Sequence, residues 1–335
     1  MKSARTSGTR GRMRRAAALL GGLSMALALV AGCSSDTDDA AAAEQSRTIT
    51  TDRGPVTVPH EAKRIVVLSG SMADYLYAID APVVATDTRI IGVTNLDGGF
   101  PPHWADKARA QGTKALPTGA ELNIEAVAEA NPDLIIGGGQ GITAVQADKL
   151  YDKLTAIAPT VLVPTKVTNW QDQLRMVAEA AGRADRVPDL LKAYQDKAAQ
   201  VKASAKVPPG KVVYLLSVAN KKPYLLPPSA ALPAQLAELG FVADDVLAKA
   251  GNPPLFGSGD SFEVSLELLD RVADAPVAFV IPVGGPNAAE LGQNPLYARL
   301  PAFRDGKVFE LPTTSYRPDY HAALNTLDVV AQKLG

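Results

Sequence analysis

Cysteine is nearly missing from this sequence. Cys33 is the only one in 335 residues, so no disulfide can form within the chain. Aromatic residues make up only 5% while hydrophobic ones reach 47%, which leaves a core of Ala, Val and Leu, as α/β packing allows. The histidines are His60, His103 and His321, far apart and without the spacing that a bare zinc or manganese carrier would need. No direct metal ligand is therefore expected; His321 beside Tyr320 could touch a metal ion as a late ligand but reads better as a surface helix histidine. Gly-x-Ser-x-Gly, Ser-x-x-Lys, His-Glu-x-x-His and the Gly-x-x-x-x-Gly-Lys phosphate loop are all absent. Ser71 could imitate a nucleophile, but no histidine pairs with it in the sequence, and no catalytic residue is expected. Positive charge is not in excess either. Lys2, Arg5, Arg10, Arg12, Arg14 and Arg15 account for 6 of the 34 basic residues and precede all 35 acidic ones, so the chain beyond them is formally −7. That balance argues against nucleic acid and against electrostatic binding to anionic lipid.

Those six cations lead into an uncharged run from Ala16 to Gly32, a basic region followed by an apolar one of secretory-signal length and too short to span a membrane securely. No later apolar run is long enough to span one. The segment Leu29-Val30-Ala31-Gly32-Cys33 resembles the lipobox of bacterial lipoprotein signals. The resemblance implies cleavage before Cys33 and acylation of its thiol. At about 0.8 kcal/mol per buried methylene, one acyl chain binds marginally and more than one binds stably. The expected location is the extracytoplasmic face of the cell membrane, held by lipid. Arg14-Arg15 fits a twin-arginine signal only loosely, and the export route stays open.

Five regions are expected: a signal over 1–32, a flexible Ser/Asp/Ala-rich tether over 33–46, an N-terminal α/β lobe over 47–183, a linking helix over 184–206 and a C-terminal α/β lobe over 207–335. Thr48-Ile49-Thr50 and Val56-Thr57-Val58 flank Asp52-Arg53-Gly54 as a hairpin. Ile65 to Leu68, Leu134 to Ile136, Val161 to Val163 and Val212 to Leu216 read as short buried strands. Helical patterns cover Met72–Ile79, 144–157, Trp170–Ala181 and 188–205, and Pro188 confines the start of the last. The halves echo each other. Asn123-Ile124-Glu125 runs through Asn131-Pro132-Asp133 into a strand and Gly137-Gly138-Gly139, and Ser265-Leu266-Glu267 runs through Asp274 into a strand and Gly284-Gly285. The fold class is α/β, with two lobes of small, mainly parallel sheets flanked by helices.

At Arg64-Ile65-Val66-Val67-Leu68-Ser69, Asn123-Ile124-Glu125, Pro132-Asp133-Leu134-Ile135, Ile157-Ala158-Pro159-Thr160-Val161, Asn294-Pro295-Leu296, Leu300-Pro301-Ala302-Phe303, Asp305-Gly306-Lys307-Val308 and Tyr316, the chain resembles the substrate-binding proteins of ATP-binding-cassette importers. The similarity is to the type whose lobes are joined by one long helix, in the branch serving ferric siderophores, cobalamin and haem. It implies a ligand cleft between lobes, small closure, a permease and its ATPase as partners, and a monomer. It implies no intrinsic cofactor, with iron(III) carried inside a siderophore. Glu125 and Glu267 would dock into basic pockets of the permease; each also suits the positive end of a helix, a contribution of about 0.3–1 kcal/mol. Cobalamin or haem carriage, with Tyr316 or Tyr320 as an axial ligand for haem, and a non-transport envelope lipoprotein are the alternatives.

In α/β sheets ligands gather beyond the carboxyl ends of the strands. A ferric siderophore already satisfies its metal, so the protein needs donors for the chelate's polar shell and aromatic faces for the rest. Charge-assisted hydrogen bonds of about 1.5–3 kcal/mol each make a few cations sufficient. The candidates are Ser71, Arg89, Lys114, Gln140, Lys166, Lys222 and Arg317, with Trp104, Tyr224, Phe256 and Tyr316 as aromatic surfaces. Lys221, Trp170 and Tyr320 are further possibilities, with Trp170 expected instead to pack the head of its helix. Arg317 beside Tyr316 is the leading pair.

Overall fold

Two parallel-stranded cores divide the chain, preceded by a hairpin of β1 (Ser46–Thr51) and β2 (Gly54–Pro59) that turns at Asp52 and Arg53. A computed structural model describes residues 45–335; the expected signal, Cys33 and the tether up to residue 44 lie outside the described residues. Among the described residues no helix is long and apolar enough to cross a membrane.

The N-terminal half contains β3 (Ile65–Val67), α1 (Gly70–Ala78), β4 (Val83–Thr86), α2 (Ala105–Gln111), β5 (Lys114–Ala115), α3 (Ile124–Glu129), β6 (Leu134–Gly138), α4 (Ile142–Lys149), α5 (Tyr151–Thr155) and β7 (Thr160–Val163). Its sheet runs β5-β4-β3-β6-β7 with every pair parallel. Helices cover both faces, which is why Ile65, Val66 and Val67 form an unbroken apolar run with no exposed surface. The helix expected over 144–157 is broken in two, because Leu150 (φ −109, ψ 15) leaves helical geometry. The Arg64 and Pro132-Asp133 segments meet here. Asp133 accepts the backbone N–H of Lys63 (2.7 Å) and Arg64 (2.9 Å), and the Arg64 side chain donates to the carbonyls of Ala130 and Asn131. Those residues therefore fasten the start of β3 to the turn before β6.

Helix α6 (Trp170–Ala181) is capped by Asn169, whose side chain accepts from Gln171 and Asp172. A 3-10 turn at Ala184–Arg186 then leads into α7 (Val187–Ser204), the long helix between the halves, with Pro188 in its first turn where no intrahelical N–H is needed. The C-terminal half contains β8 (Lys211–Val218), β9 (Pro223–Leu225), α8 (Ala231–Glu238), β10 (Val242–Ala243), α9 (Val246–Lys249), β11 (Phe262–Glu263), α10 (Leu269–Val272), β12 (Val277–Val283), α11 (Ala288–Gln293), α12 (Pro295–Ala298), α13 (Pro301–Arg304), β13 (Val308–Glu310) and α14 (Tyr320–Leu334). Its sheet runs β11-β9-β8-β12-β13, with β10 beside β8. β8, β12 and β13 are parallel, whereas β9 and β11 are antiparallel to their neighbours. The reversal follows from length: only residues 219–222 separate β8 from β9, too few for a parallel crossover.

The internal echo is only partial. Asn123 caps α3 by accepting from Ala126 N at 2.8 Å. The second copy shortens to the four residues of α10, so Glu267 lies in the preceding turn rather than in a helical first turn.

Among the described residues, buried side chains form three apolar clusters. One lies on the far face of the N-terminal sheet (Val66, Leu68, Ile135, Leu162) and one on the far face of the C-terminal sheet (Val213, Leu215, Ala278, Val280). The third joins the inner faces through α1, α6, α7 and α14, with Tyr75, Leu174, Tyr194, Phe279, Leu327 and Val330 among its members. The last helix thus returns from the C-terminal sheet to pack against α7 and α1. A second crossing lies at Gly92 (φ +73), where an added Cβ would come within 2.1 Å of Thr313 Cγ2; only glycine lets that loop approach the other half so closely.

Candidate ligand site between the two halves

Beyond the carboxyl end of β13, the 3-10 turn Thr313–Ser315 delivers Tyr316 and Arg317 to the boundary between the halves. Arg317 grips Asp260 with two donors, Nε to Oδ2 at 2.5 Å and Nη2 to Oδ1 at 3.0 Å. Asp260 also accepts the Tyr316 hydroxyl (2.9 Å) and, from the N-terminal half, Gln140 Nε2 (3.2 Å). Ser261 Oγ lies 3.1 Å from the same hydroxyl, and the guanidinium carbon sits 4.7 Å from the Tyr316 ring centroid. Burial pushes the Tyr316 phenol up to about 12. Burial would weaken the Arg317 cation, but the bond to Asp260 outweighs it and raises its pKa.

One edge of this guanidinium is uncommitted. Among the described residues Nη1 makes no hydrogen bond; it lies 4.0 Å from where a Cβ on Gly141 would stand, while Nη2 is 3.6 Å from the corresponding point on Gly257. Both glycines adjoin exposed apolar residues: Gly141 precedes Ile142 (59% exposed) and Val145 on α4, and Gly257 follows Leu255 and Phe256 (64% exposed). Phe256 stands edge-on to the buried Tyr224 ring at 6.0 Å, and the Tyr224 hydroxyl donates to Glu263. A partly buried cation, flanked by glycines and bordered by apolar side chains from both halves, can hold an anionic group on a bulky, partly apolar molecule.

The remaining candidates divide. Arg89 is fully engaged: Nε and Nη2 bind Asp87, Nη2 also reaches Gln146 (2.7 Å), and Nη1 donates to the Gly119 carbonyl (3.0 Å). Ser71 lies half-buried on α1. Trp104 requires correction, because it is 1% exposed and stacked on Tyr77 at 5.2 Å in the N-terminal core, where its size fills volume and no ligand face remains. Trp170 is likewise buried, edge-on to Tyr194 at 4.8 Å, and Tyr320 is buried beside it. Lys114 is exposed on the edge strand β5. Lys166 pairs with Asp52 (2.7 Å) at a cavity of about 440 Å³ that lies wholly against the hairpin side of the N-terminal half. Lys222, in the β8–β9 turn, pairs with Glu263 at 2.8 Å. Glu125 and Glu267 are exposed, the latter between the exposed Leu266 and Leu268.

Distance in sequence misled the reading of the histidines. His103, in the turn before α2, and His321, in the first turn of α14, face each other with ring centroids 6.5 Å apart. Between them lie two buried carboxylates, Asp74 of α1 and Asp319, the cap of α14. His321 Nδ1 is 2.6 Å from Asp74 Oδ1, and its backbone N–H donates to Oδ2. Burial and the neighbouring Asp74 push Asp319 up to about 6. Burial would lower both imidazoles, but the facing carboxylates outweigh it and raise them.

Asp260 went unrecognised in the sequence. Its only local signal is the glycine-rich run Gly257-Ser258-Gly259-Asp260-Ser261, which marks a loop but not a partner. Val145 was read as part of a helix and Ile142 lay outside it, and nothing in their spacing distinguishes an outward apolar pair from an inward one.

The family described as "Periplasmic binding protein" matches residues 65–314. The ferric enterobactin-binding periplasmic protein FepB of Escherichia coli O6:H1 strain CFT073 is 30% identical over 294 residues, covering 86% of this chain and 90% of its own. The Fe(3+)-citrate-binding protein YfmC of Bacillus subtilis strain 168 is 25% identical over 304 residues, 88% of each chain. Among solved structures, holo-ViuP superposes with a TM-score of 0.74 at 22% identity, covering 86% of this chain and 95% of that one, a likeness of fold.

Proposed function

This chain belongs to the periplasmic binding protein family, and from that premise we propose that it captures an iron(III)-siderophore complex outside the cytoplasm and hands it to an ABC-type permease and its ATPase. The relatives named for ferric enterobactin and ferric citrate favour a ferric chelate as cargo. The observation that carries the reading is the uncommitted Nη1 edge of Arg317, set between Gly141 and Gly257 and bordered by Ile142, Val145, Leu255 and Phe256. The guanidinium binds an oxygen of the anionic chelate and the apolar border covers its organic shell. The protein binds without catalysis, as a monomer tethered through acylated Cys33.

Haem carriage is disfavoured by the same geometry. An axial phenolate needs a hydroxyl free to face the iron, yet the Tyr316 hydroxyl is committed to Asp260 and Ser261, and Tyr320 is buried against Trp170. Glu125 and Glu267 serve as docking points for the permease, one in each half.

The test is a tryptophan-fluorescence titration of the chain lacking residues 1–33 with ferric catecholate, hydroxamate and citrate chelates, cobalamin and haem. Saturable quenching by at least one ferric chelate is expected. A response to cobalamin or haem alone would overturn the siderophore assignment.

A further inference from the structure

The cluster at the start of α14 sets one imidazole before two buried carboxylates. His103 Nε2 lies 3.4 Å from Asp319 Oδ2 and 3.8 Å from Asp74 Oδ1. An ordinary N–H···O bond spans about 2.7–3.2 Å, so the imidazole faces two carboxylates while holding neither closely. One ligand atom from each of Asp74, His103 and Asp319 falls within 4.8 Å of the other two. Ligand atoms about 2.0–2.2 Å from a tetrahedral zinc ion stand about 3.3–3.6 Å apart, close to the two separations involving the imidazole.

The surroundings fit the same chemistry. Asp74 and Asp319 have side chains at most 2% exposed, and two carboxylates so close and so dry need a compensating charge. His321 is hydrogen-bonded to Asp74 through both its ring (2.6 Å) and its backbone N–H (3.1 Å), the outer support that metal-bound carboxylates receive. The other Asp319 oxygen, Oδ1, accepts from Ala322 N (2.9 Å), which leaves Oδ2 directed at His103. One imidazole and two carboxylates suit a divalent first-row ion.

We propose that Asp74, His103 and Asp319 bind a divalent transition-metal ion, zinc above all, with His321 holding Asp74 in position. The ion ties α1 and the turn before α2 to the N-terminus of α14, two residues beyond Arg317. It is resident in the protein, separate from any iron carried as cargo, and it braces the segment that presents Arg317.

The test titrates the full chain, stripped with a chelator, with zinc chloride against a chromophoric competitor. One zinc per chain is expected. His103→Ala should weaken binding at least about 100-fold, and His321→Ala, which removes only outer support, about 10- to 100-fold. His103 lies 3.4 Å from the buried Asp319 and 3.8 Å from the buried Asp74, so His103→Gln, which keeps a polar group facing them, is the second variant should the alanine form not fold. His60→Ala, on an exposed bend elsewhere, should leave binding unchanged. A zinc-dependent rise in melting temperature should accompany binding in the native chain and vanish in His103→Ala. Absence of zinc uptake, or uptake of equal affinity in His103→Ala, would overturn the assignment.

Discussion

Arg89 and Arg317 occupy matching places in the two halves, each near the carboxyl end of a sheet and each clasping an aspartate, yet they are not equivalent. Every nitrogen of Arg89 is committed within the N-terminal half, to Asp87, Gln146 and the Gly119 carbonyl. Arg317 is committed on one side only, and its carboxylate is shared with Gln140 from the opposite half. A cation whose donors are all satisfied holds its own loop together; one with a free edge in a water-poor setting can still gain from a ligand. Position beyond a strand therefore nominates a residue, and the count of its unused donors separates scaffold from site.

The largest effect that would test this contrast falls on stability. Arg89→Ala leaves Asp87, 1% exposed, without its partner. Breaking a buried pair from one side costs about 3–5 kcal/mol, and the partial exposure of Arg89 places the loss near the lower end, about 3 kcal/mol. Urea unfolding should read that loss, while the folded variant keeps its ferric-chelate affinity within about threefold. Weakened binding with unchanged stability would reverse the roles of the two arginines. The converse change is Asp260→Asn with Arg317→Gln, a neutral pair that retains hydrogen-bonding capacity. Chelate affinity should fall roughly 10- to 150-fold, the equivalent of one charge-assisted hydrogen bond of about 1.5–3 kcal/mol. Stability should move by about 1 kcal/mol or less, as unfolding in the same urea series would report.

The contrast also explains what the sequence could and could not reveal. Strands such as Ile65–Val67 and Val277–Val283 were legible because burial on both faces demands unbroken apolar runs. Helices α6 and α7 were legible from periodicity, with Pro188 as a start signal for the second. The antiparallel β9 was not, since its direction is set by the four-residue connection rather than by its own composition. Trp104 was misplaced because aromatic character suits a core and a ligand face equally, and only packing against Tyr77 decides. The partnerships of Arg317 with Asp260 and of His103 with Asp74 and Asp319 join residues 57, 29 and 216 positions apart, and no local pattern encodes such a meeting.

A further comparison between halves concerns the two glutamates. Glu125 projects from the first turn of α3, capped by Asn123, whereas Glu267 stands in a turn flanked by the exposed Leu266 and Leu268. If both meet basic pockets on a permease, the apolar pair gives the second contact a desolvated setting and a larger share of the docking. Glu267→Lys should cut chelate uptake by about tenfold, and Glu125→Lys by less, because a like charge facing a basic pocket is repelled. Chelate affinity of the isolated protein should not change in either variant. Uptake assays in cells, paired with fluorescence titration, distinguish the two readouts, and equal uptake in all three proteins would remove the docking role.

The smallest effect concerns Phe256, and it sharpens what the apolar border recognises. Its ring is largely exposed and touches Tyr224 edge-on, so Phe256→Ala should leave stability within about 0.5 kcal/mol, the range of surface substitutions. An aromatic contact with a ligand ring contributes about 0.5–1.5 kcal/mol, or roughly 2- to 13-fold in affinity. That loss should fall on a ferric catecholate, which has rings to offer, and spare ferric citrate, which has none. Arg317 is proposed to meet the charge of either chelate, so the double substitution at Asp260 and Arg317 should weaken both. A Phe256→Ala variant that weakens citrate as much as catecholate would mean that the ring acts by shaping the loop around Gly257, and the border would then be structural rather than selective.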